Sequence, residues 1–181
     1  YYPAIARPHV ELVTEAIVRV TPKAIETADG RQREVDALVC ATGFDVSHLL
    51  SSVQVTGLGG RTLAQAWADG PQAYHGITVS GFPNLFMLYG PNTNIVINGS
   101  IIFFSECEVR YLLGCLEQLV AGGHRSLACR PEVHDAFNEL VDAGNREMAW
   151  GVATVNSWYR NETGRSAQNW PFTLLEYWQR T

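Results

Sequence analysis

The sequence predicts an α/β fold, and three observations point to this class. Residues 16–40 contain three strand-like runs separated by turn residues, which is typical of a β-meander. Residues 85–89 form an apolar run of strand length that ends at Gly-Pro-Asn and is followed by a long helical pattern. Residues 131–148 then repeat apolar positions at helical spacing. We therefore expect mainly strands in residues 1–95, and mainly helices and an aromatic C-terminal loop in residues 96–181.

The predicted meander consists of strands at residues 16–20, 23–27 and 34–40. The last of these is nearly all apolar, as expected for a strand that is covered on both faces. It ends in Ala-Thr-Gly at residues 41–43, and such small residues let another backbone or a cofactor approach closely. A plain tight turn is the alternative interpretation.

Residues 81–122 predict a buried strand, a turn and a long helix, around which the rest of the chain is organised. A helix that starts after such a turn leaves unpaired N–H groups at its positive end, where an electron-rich group can bind. Glu106, Arg110 and Glu117 share one ridge of the helix, and apolar residues cover most of the rest, so we expect a core helix with one exposed edge. A strand and helix packed for stability alone would produce the same pattern.

Two shorter helices follow from capping residues. Thr62 is a plausible N-cap for a helix that ends at Gly70 and Pro71. Thr173 and Glu176 have the spacing of a capping box for a last short helix. Pro131 suits the first position of the helix at 131–148.

Composition and charge exclude several classes of function. The formal net charge is −5, and lysine and arginine are scattered, which argues against a nucleic-acid surface. Apolar runs are too short to span a bilayer, and the first twenty residues lack the order of a signal peptide, so we expect a cytoplasmic protein. The four cysteines lack a C-x-x-C spacing and the five histidines are far apart, which predicts no metal site. Nothing matches G-x-S-x-G, and the glycines at 57–60 do not match G-x-G-x-x-G.

Three motifs together resemble one family. DALVCATGF at residues 36–44 resembles the ATG motif of flavin-containing and Baeyer–Villiger monooxygenases. GFPNLFMLYGPNTN at residues 81–94 resembles their flavin-contacting segment, and SWYR at 157–160 followed by NWP at 169–171 resembles their closing loop. The order and separation of the motifs agree over nearly the whole chain. The run NTNIVINGSIIFF most resembles the 4-hydroxyacetophenone monooxygenase branch.

The resemblance implies the C-terminal part of a Rossmann-like FAD- and NADPH-binding enzyme. Such an enzyme uses O2 to oxidise a ketone to an ester by a peroxyflavin, or Baeyer–Villiger, mechanism. The two G-x-G-x-x-G fingerprints and the signature between them do not occur here. The family's active-site arginine would lie upstream of Tyr1, so the chain supplies no catalytic residue, and we expect an incomplete fragment that is inactive alone.

The resemblance also assigns binding residues, position by position. The expected cofactor-binding residues are Ala41, Thr42, Gly43, Phe44, Gly90, Asn92, Thr93, Asn94 and Trp158. The expected substrate-binding residues are Ile95, Val96, Ile97 and Asn98. Within these sets Thr93 and Asn94 would face the flavin pyrimidine edge, and Trp158 would reach the nicotinamide ribose from a mobile loop. The plainer alternatives are that Trp158 is a core aromatic, that the asparagines only shape the turn, and that residues 95–97 are ordinary core.

Two further interpretations remain open at the level of sequence. An N- or S-oxygenating flavin monooxygenase would share the same motifs. A non-catalytic module that binds a protein partner would account for the aromatic content. We also expect the strands at 36–40 and 85–89 to lie side by side in one sheet, with a face left under-covered unless two copies pack as a homodimer.

Overall fold

A computed structural model describes residues 1–43, 49–95, 99–152 and 158–181. The chain divides into two compact units, Tyr1–Phe44 and Asp45–Thr181. No helix in the described ranges is long and apolar enough to cross a membrane.

The first unit contains a single helical turn and a three-stranded antiparallel sheet. Helix α1 spans Tyr2–Ile5, and strands β1, β2 and β3 span Ile17–Val20, Ala24–Thr27 and Gln32–Glu34. The sheet order is β1-β2-β3, with Val20 opposite Ile25 and Ala24 opposite Glu34. The predicted meander is therefore confirmed for its first two strands.

The third strand differs from the prediction. It ends at Glu34, where residues 34–40 were expected to form it. The register with β2 explains the difference, because Ala24 at the start of β2 already pairs with Glu34 and leaves residues 36–40 no partner strand there. Leu38 and Val39 are exposed in this unit. The apolar content of residues 36–40 predicted a strand, but the register of β2 with β3 does not extend to these residues.

The regular elements described in the second unit are helices. A 3₁₀ turn spans Leu58–Gly60, and helices α2, α3, α4 and α5 span Leu63–Ala66, Ile101–Ala121, Pro131–Arg146 and Leu174–Arg180. Thr62 and Gln65 form a reciprocal capping box at α2, and the Thr173 hydroxyl accepts from the Glu176 N–H at α5. All four helices confirm the sequence prediction in position.

Residues 85–89 do not form the predicted strand. Asn84, just before the run, and Tyr89, its last residue, have left-handed backbone angles, φ 58° and 57°, which limit the extended stretch at both ends. The Met87 N–H donates to the Ile77 carbonyl at 2.9 Å, and neither residues 85–89 nor residues 36–40 form a strand.

Two apolar clusters form the core of the second unit. One joins α2 to the chain before the turn at residue 90, and its buried members are Leu63, Trp67, Ala73, Val79, Phe82 and Met87. The other joins α3, α4 and α5, and its buried members are Phe104, Cys107, Phe137, Val141, Trp170 and Tyr177. Ile95, which directly follows the motif at residues 81–94, packs against the second cluster.

Helix α3 is less buried than predicted. Its buried residues are Phe104, Cys107, Glu108 and Cys115, which lie on one face. A second face carries the exposed apolar residues Ile102, Val109, Leu113, Leu116 and Val120. The hydrophobic pattern of the sequence identifies apolar residues, but it does not show whether another part of the chain covers them.

The turn at residues 90–94 packs so closely against residues 75–76 that Gly76 and Gly90 have no room for a side chain. Gly76 has φ 72°, and a Cβ there would collide with Thr93 Cγ2 and approach the Pro91 carbonyl to 2.9 Å. A Cβ on Gly90 would collide with the Gly76 carbonyl. The two glycines thus let two backbones touch.

We predict that Gly76→Ala destabilises the protein far more than Gly81→Ala. Both glycines have positive φ, so each substitution costs about 1–2 kcal/mol for the left-handed backbone. At Gly81 a Cβ meets nothing within 4 Å, whereas at Gly76 overpacking adds about 1–3 kcal/mol. Urea unfolding measures the difference, and equal midpoints for the two variants would contradict the close packing.

His75 is buried beside this contact, in a cage of aromatic rings. Its ring lies 4.1 Å from Tyr74 and 4.5 Å from Phe137, centroid to centroid. Its Nδ1 atom has no hydrogen-bond partner among the described residues. Burial, with a smaller contribution from the charge of Arg180, lowers the pKa of His75 from 6.5 to about 3.

We predict that His75 makes the protein less stable in mild acid. Between pH 6.5 and 3, His75 is protonated in the unfolded chain but stays neutral in the folded chain. The free energy of unfolding therefore falls as the pH decreases through this window. The slope from this one group approaches about 1.4 kcal/mol per pH unit. Urea unfolding at pH 7, 6 and 5 should show a steeper loss for the native protein than for His75→Phe. Parallel profiles for the two proteins would contradict the prediction.

Candidate functional site

Residues 90–94 form a turn, the 90–94 turn, that is hydrogen-bonded to the segment at residues 165–170. Asn92 has φ 60°, and its Nδ2 donates to the carbonyls of Ser166 at 2.9 Å and Asn169 at 3.1 Å. Its backbone N–H donates to the Ala167 carbonyl at 2.9 Å. A short amide side chain tolerates the left-handed region and satisfies two carbonyls at once, which explains asparagine at this position.

Asn94 continues the contact as a parallel bridge with Asn169. Its Nδ2 donates to Asn169 Oδ1 at 2.8 Å, its backbone N–H donates to the Gln168 carbonyl at 2.9 Å, and its carbonyl accepts from Trp170 N–H at 2.8 Å. Thr93 is fully buried between them, and its hydroxyl donates to the Gly90 carbonyl at 2.8 Å. The turn is therefore rigid, because its side chains are already engaged by the protein.

Arg165 connects two further segments to the 90–94 turn. Its Nε donates to Asp142 of α4 at 2.9 Å, and one Nη donates to Asn92 Oδ1 at 3.3 Å. The other Nη donates to the Pro71 carbonyl at 2.5 Å. A guanidinium has five donors in a fixed plane, so one side chain can join α4, the 90–94 turn and the chain before it.

Tyr89 and Glu108 support the turn from the side of α3. The Tyr89 N–H donates to Glu108 Oε2 at 2.8 Å, and the Tyr89 hydroxyl donates to Asn94 Oδ1 at 2.9 Å. Glu108 is fully buried, and burial raises its pKa. Sequence reasoning missed Glu108, although it stands in helical register with the buried residues Phe104 and Cys115.

The start of α3 is open. Gly99, Ser100 and Ile101 are exposed, Ser100 is the N-cap, and its side chain makes no capping bond. The first turn of the helix carries no acidic residue. In the first turn of this 21-residue helix the Phe103 N–H donates to the Ser100 carbonyl at 3.1 Å, so the N–H groups of Ile101 and Ile102 are the donors that its open end presents, with the positive end of its dipole.

The remaining predicted residues are distributed as follows. Ala41, Thr42 and Gly43 are exposed in the first unit, whereas Gly90, Asn92, Thr93 and Asn94 lie together in the second. Ile95 is half-buried and packs on the α3–α4–α5 cluster. Trp158 is 61% exposed, with its ring centroid 4.3 Å from that of Tyr159, so it is no core aromatic. Phe44, Val96, Ile97 and Asn98 lie outside the described residues.

The described residues contain no group of histidine, cysteine and carboxylate side chains arranged to hold a metal ion. A cavity of about 590 Å³ lies between α2 and residues 161–163, and Trp67 and Pro71 line it. None of the predicted site residues borders this cavity.

Comparison with known proteins identifies relatives along the whole chain. No protein-family model matches it. It is 37% identical over 182 residues to a Baeyer–Villiger monooxygenase of Streptomyces coelicolor, covering 100% of this chain and 35% of the relative. It is 39% identical over 181 residues to the FAD-binding monooxygenase ktnD of Aspergillus niger, covering 98% of this chain and 29% of the relative.

The fold agrees with these relatives. The structure of an oxidised steroid monooxygenase bound to NADP superposes with a TM-score of 0.81 and 30% identity, covering 99% of this chain and 34% of that one. The chain spans about a third of the length of the curated relatives that it matches. The predicted fold class is therefore confirmed: this α/β chain matches the C-terminal part of flavin monooxygenase structures.

Proposed function

We propose that this chain is part of an FAD- and NADPH-dependent monooxygenase that uses O2 to convert a ketone into an ester. Its similarity to Baeyer–Villiger and FAD-binding monooxygenases supports the reaction class. The observation that carries the proposal is the open start of α3 beside the rigid 90–94 turn, where Gly99 lies against the side chain of Ile95.

The residues at this place fit the electron-rich pyrimidine edge of a flavin. Backbone donors and the helix dipole favour negative charge, and no carboxylate of the first turn opposes it. Fixed donors stabilise developing charge better than mobile ones because they need no reorganisation. We assign the 90–94 turn and the N–H groups after Ser100 to the flavin.

The contribution of the asparagines is indirect. Asn92, Thr93 and Asn94 hold the turn through bonds to the protein, so what they offer a cofactor is a fixed backbone rather than free side chains. Bound FAD would supply the redox chemistry. The chain has no G-x-G-x-x-G, so the residues that hold the diphosphates belong to another part of the enzyme in this proposal.

The finer assignments rest on sequence. The run from Asn92 to Phe104 supports a 4-hydroxyacetophenone monooxygenase-like branch. Val96, Ile97 and Asn98 next to Ile95 are proposed for the substrate side, Ala41, Thr42, Gly43 and Phe44 for the cofactor, and Trp158 for NADPH. The exposed Trp158 can move towards a ligand more readily than a core residue can. A homodimer and a cytoplasmic location stay predictions.

The gene product that carries this chain should purify with bound FAD and oxidise NADPH. With a ketone it should yield an ester, which an N- or S-oxygenating enzyme would not form. An N- or S-oxide in place of the ester would identify the N- or S-oxygenating alternative, and a colourless protein that binds no FAD would contradict the proposal.

Substitution at Ser100 tests the site itself. Ser100→Asp places a carboxylate at the N-cap, where it accepts from the first-turn N–H groups and competes with the flavin, so FAD affinity should fall about tenfold. The folded protein should keep its stability, because aspartate is a favourable N-cap. Ser100→Ala is the matched control, and its FAD affinity should stay within about twofold because the serine makes no capping bond. Equal affinities for all three proteins, measured by flavin fluorescence, would contradict the assignment.

A further inference from the structure

Glu108 is a buried carboxyl group with an unusual set of partners. Its side chain is 0% exposed. Oε2 accepts from the Tyr89 N–H at 2.8 Å, and Oε1 lies 3.3 Å from the Tyr177 hydroxyl. Among the contacts that the structure describes for it, none is with a lysine, arginine or histidine side chain. A buried carboxylate without a cation is costly, which favours the neutral acid.

The Tyr177 hydroxyl supports the neutral form independently. It lies 2.6 Å from the His75 carbonyl, and a hydroxyl has one hydrogen to donate. The shorter contact takes that hydrogen, because a carbonyl can only accept. The longer contact with Glu108 is then satisfied when the carboxyl group is protonated and donates to the Tyr177 oxygen. Burial also raises the pKa of Glu108.

The other oxygen of Glu108 acts on the 90–94 turn. Tyr89 precedes the turn with φ 57°, a left-handed conformation that is unfavourable for a non-glycine residue. Glu108 satisfies the N–H of this residue, and the Tyr89 hydroxyl then reaches across the turn to Asn94 Oδ1 at 2.9 Å. One hydrogen-bonded series therefore connects the middle of α3 to both ends of the turn.

We propose that Glu108 is a positioning residue that holds Tyr89 in the left-handed conformation and so sets the geometry of the 90–94 turn towards the flavin. The role of the turn rests on the proposed function above. Glu108 acts through Tyr89 and Asn94 and touches no cofactor itself. Glutamine should replace it, because an amide offers one acceptor to the Tyr89 N–H and one donor to the Tyr177 oxygen.

The experiment compares Glu108→Gln, Glu108→Leu and Tyr89→Phe in the FAD-loaded gene product. Glu108→Leu should weaken FAD binding at least tenfold and change the circular dichroism of the flavin band at saturating FAD. Glu108→Gln should restore both to within about threefold of the native values, and Tyr89→Phe should weaken FAD binding three- to tenfold. Cys115→Ala is the control for a buried substitution on the same helix, and its FAD affinity should stay within about twofold.

Native affinity and dichroism in Glu108→Leu would overturn the proposal, as would a Glu108→Gln variant as impaired as Glu108→Leu. If Glu108→Leu does not fold, Tyr89→Phe decides, and native behaviour of that variant overturns the proposal. Hydrogen exchange of residues 88–95 in apoprotein separates this inference from the proposed function. Exchange should be faster in Glu108→Leu and native in Glu108→Gln, whether or not the native protein binds FAD, and uniform exchange in all variants would again overturn the proposal.

Discussion

The contact between the 90–94 turn and residues 165–170 is the interaction on which the second unit depends. Asn92, Asn94 and Asn169 connect segments that are about 75 residues apart in sequence, through backbone and side-chain bonds. Each bond is worth only about 1 kcal/mol net. Losing one partner costs more, because a buried carbonyl or amide would be left without a partner, at about 1–3 kcal/mol each. The network therefore contributes little net stability, and its main effect is to make alternative conformations of the loop unfavourable.

Rigidity in this turn has a chemical use. A backbone that must present N–H groups to a cofactor is most effective when its geometry exists before the cofactor binds. The close contact of Gly76 with Gly90, the left-handed residues His75, Tyr89 and Asn92, and the buried carboxyl group of Glu108 all constrain the same few residues. Strained backbone of this kind persists where the surrounding structure determines it, which is common at functional sites.

One face of α3 is apolar and exposed to solvent. Its exposed apolar face includes Ile102 and Val120, which are 68% and 82% exposed. Contiguous exposed apolar residues on a long helix are unusual for a free surface. The matched relatives are about three times as long as this chain. The match to the steroid monooxygenase structure covers about a third of that enzyme's length. The low charge content of the sequence agrees with such a surface.

The sequence alone determined the elements that depend on local rules. The β1–β2 hairpin, the caps at Thr62 and Thr173, the start of α4 at Pro131 and the end of α3 before Gly122 follow from turn residues, capping and periodicity. Three motifs in order also sufficed to indicate the fold class, because their spacing reflects one architecture. Tertiary structure alone decided that residues 36–40 and 85–89 are not strands, because strand pairing needs a partner in register and the left-handed Asn84 and Tyr89 interrupt the second run. It also decided that Glu108, Arg165 and Asn169 support the 90–94 turn, because hydrogen bonds between residues far apart in the chain leave no periodic signal in the sequence.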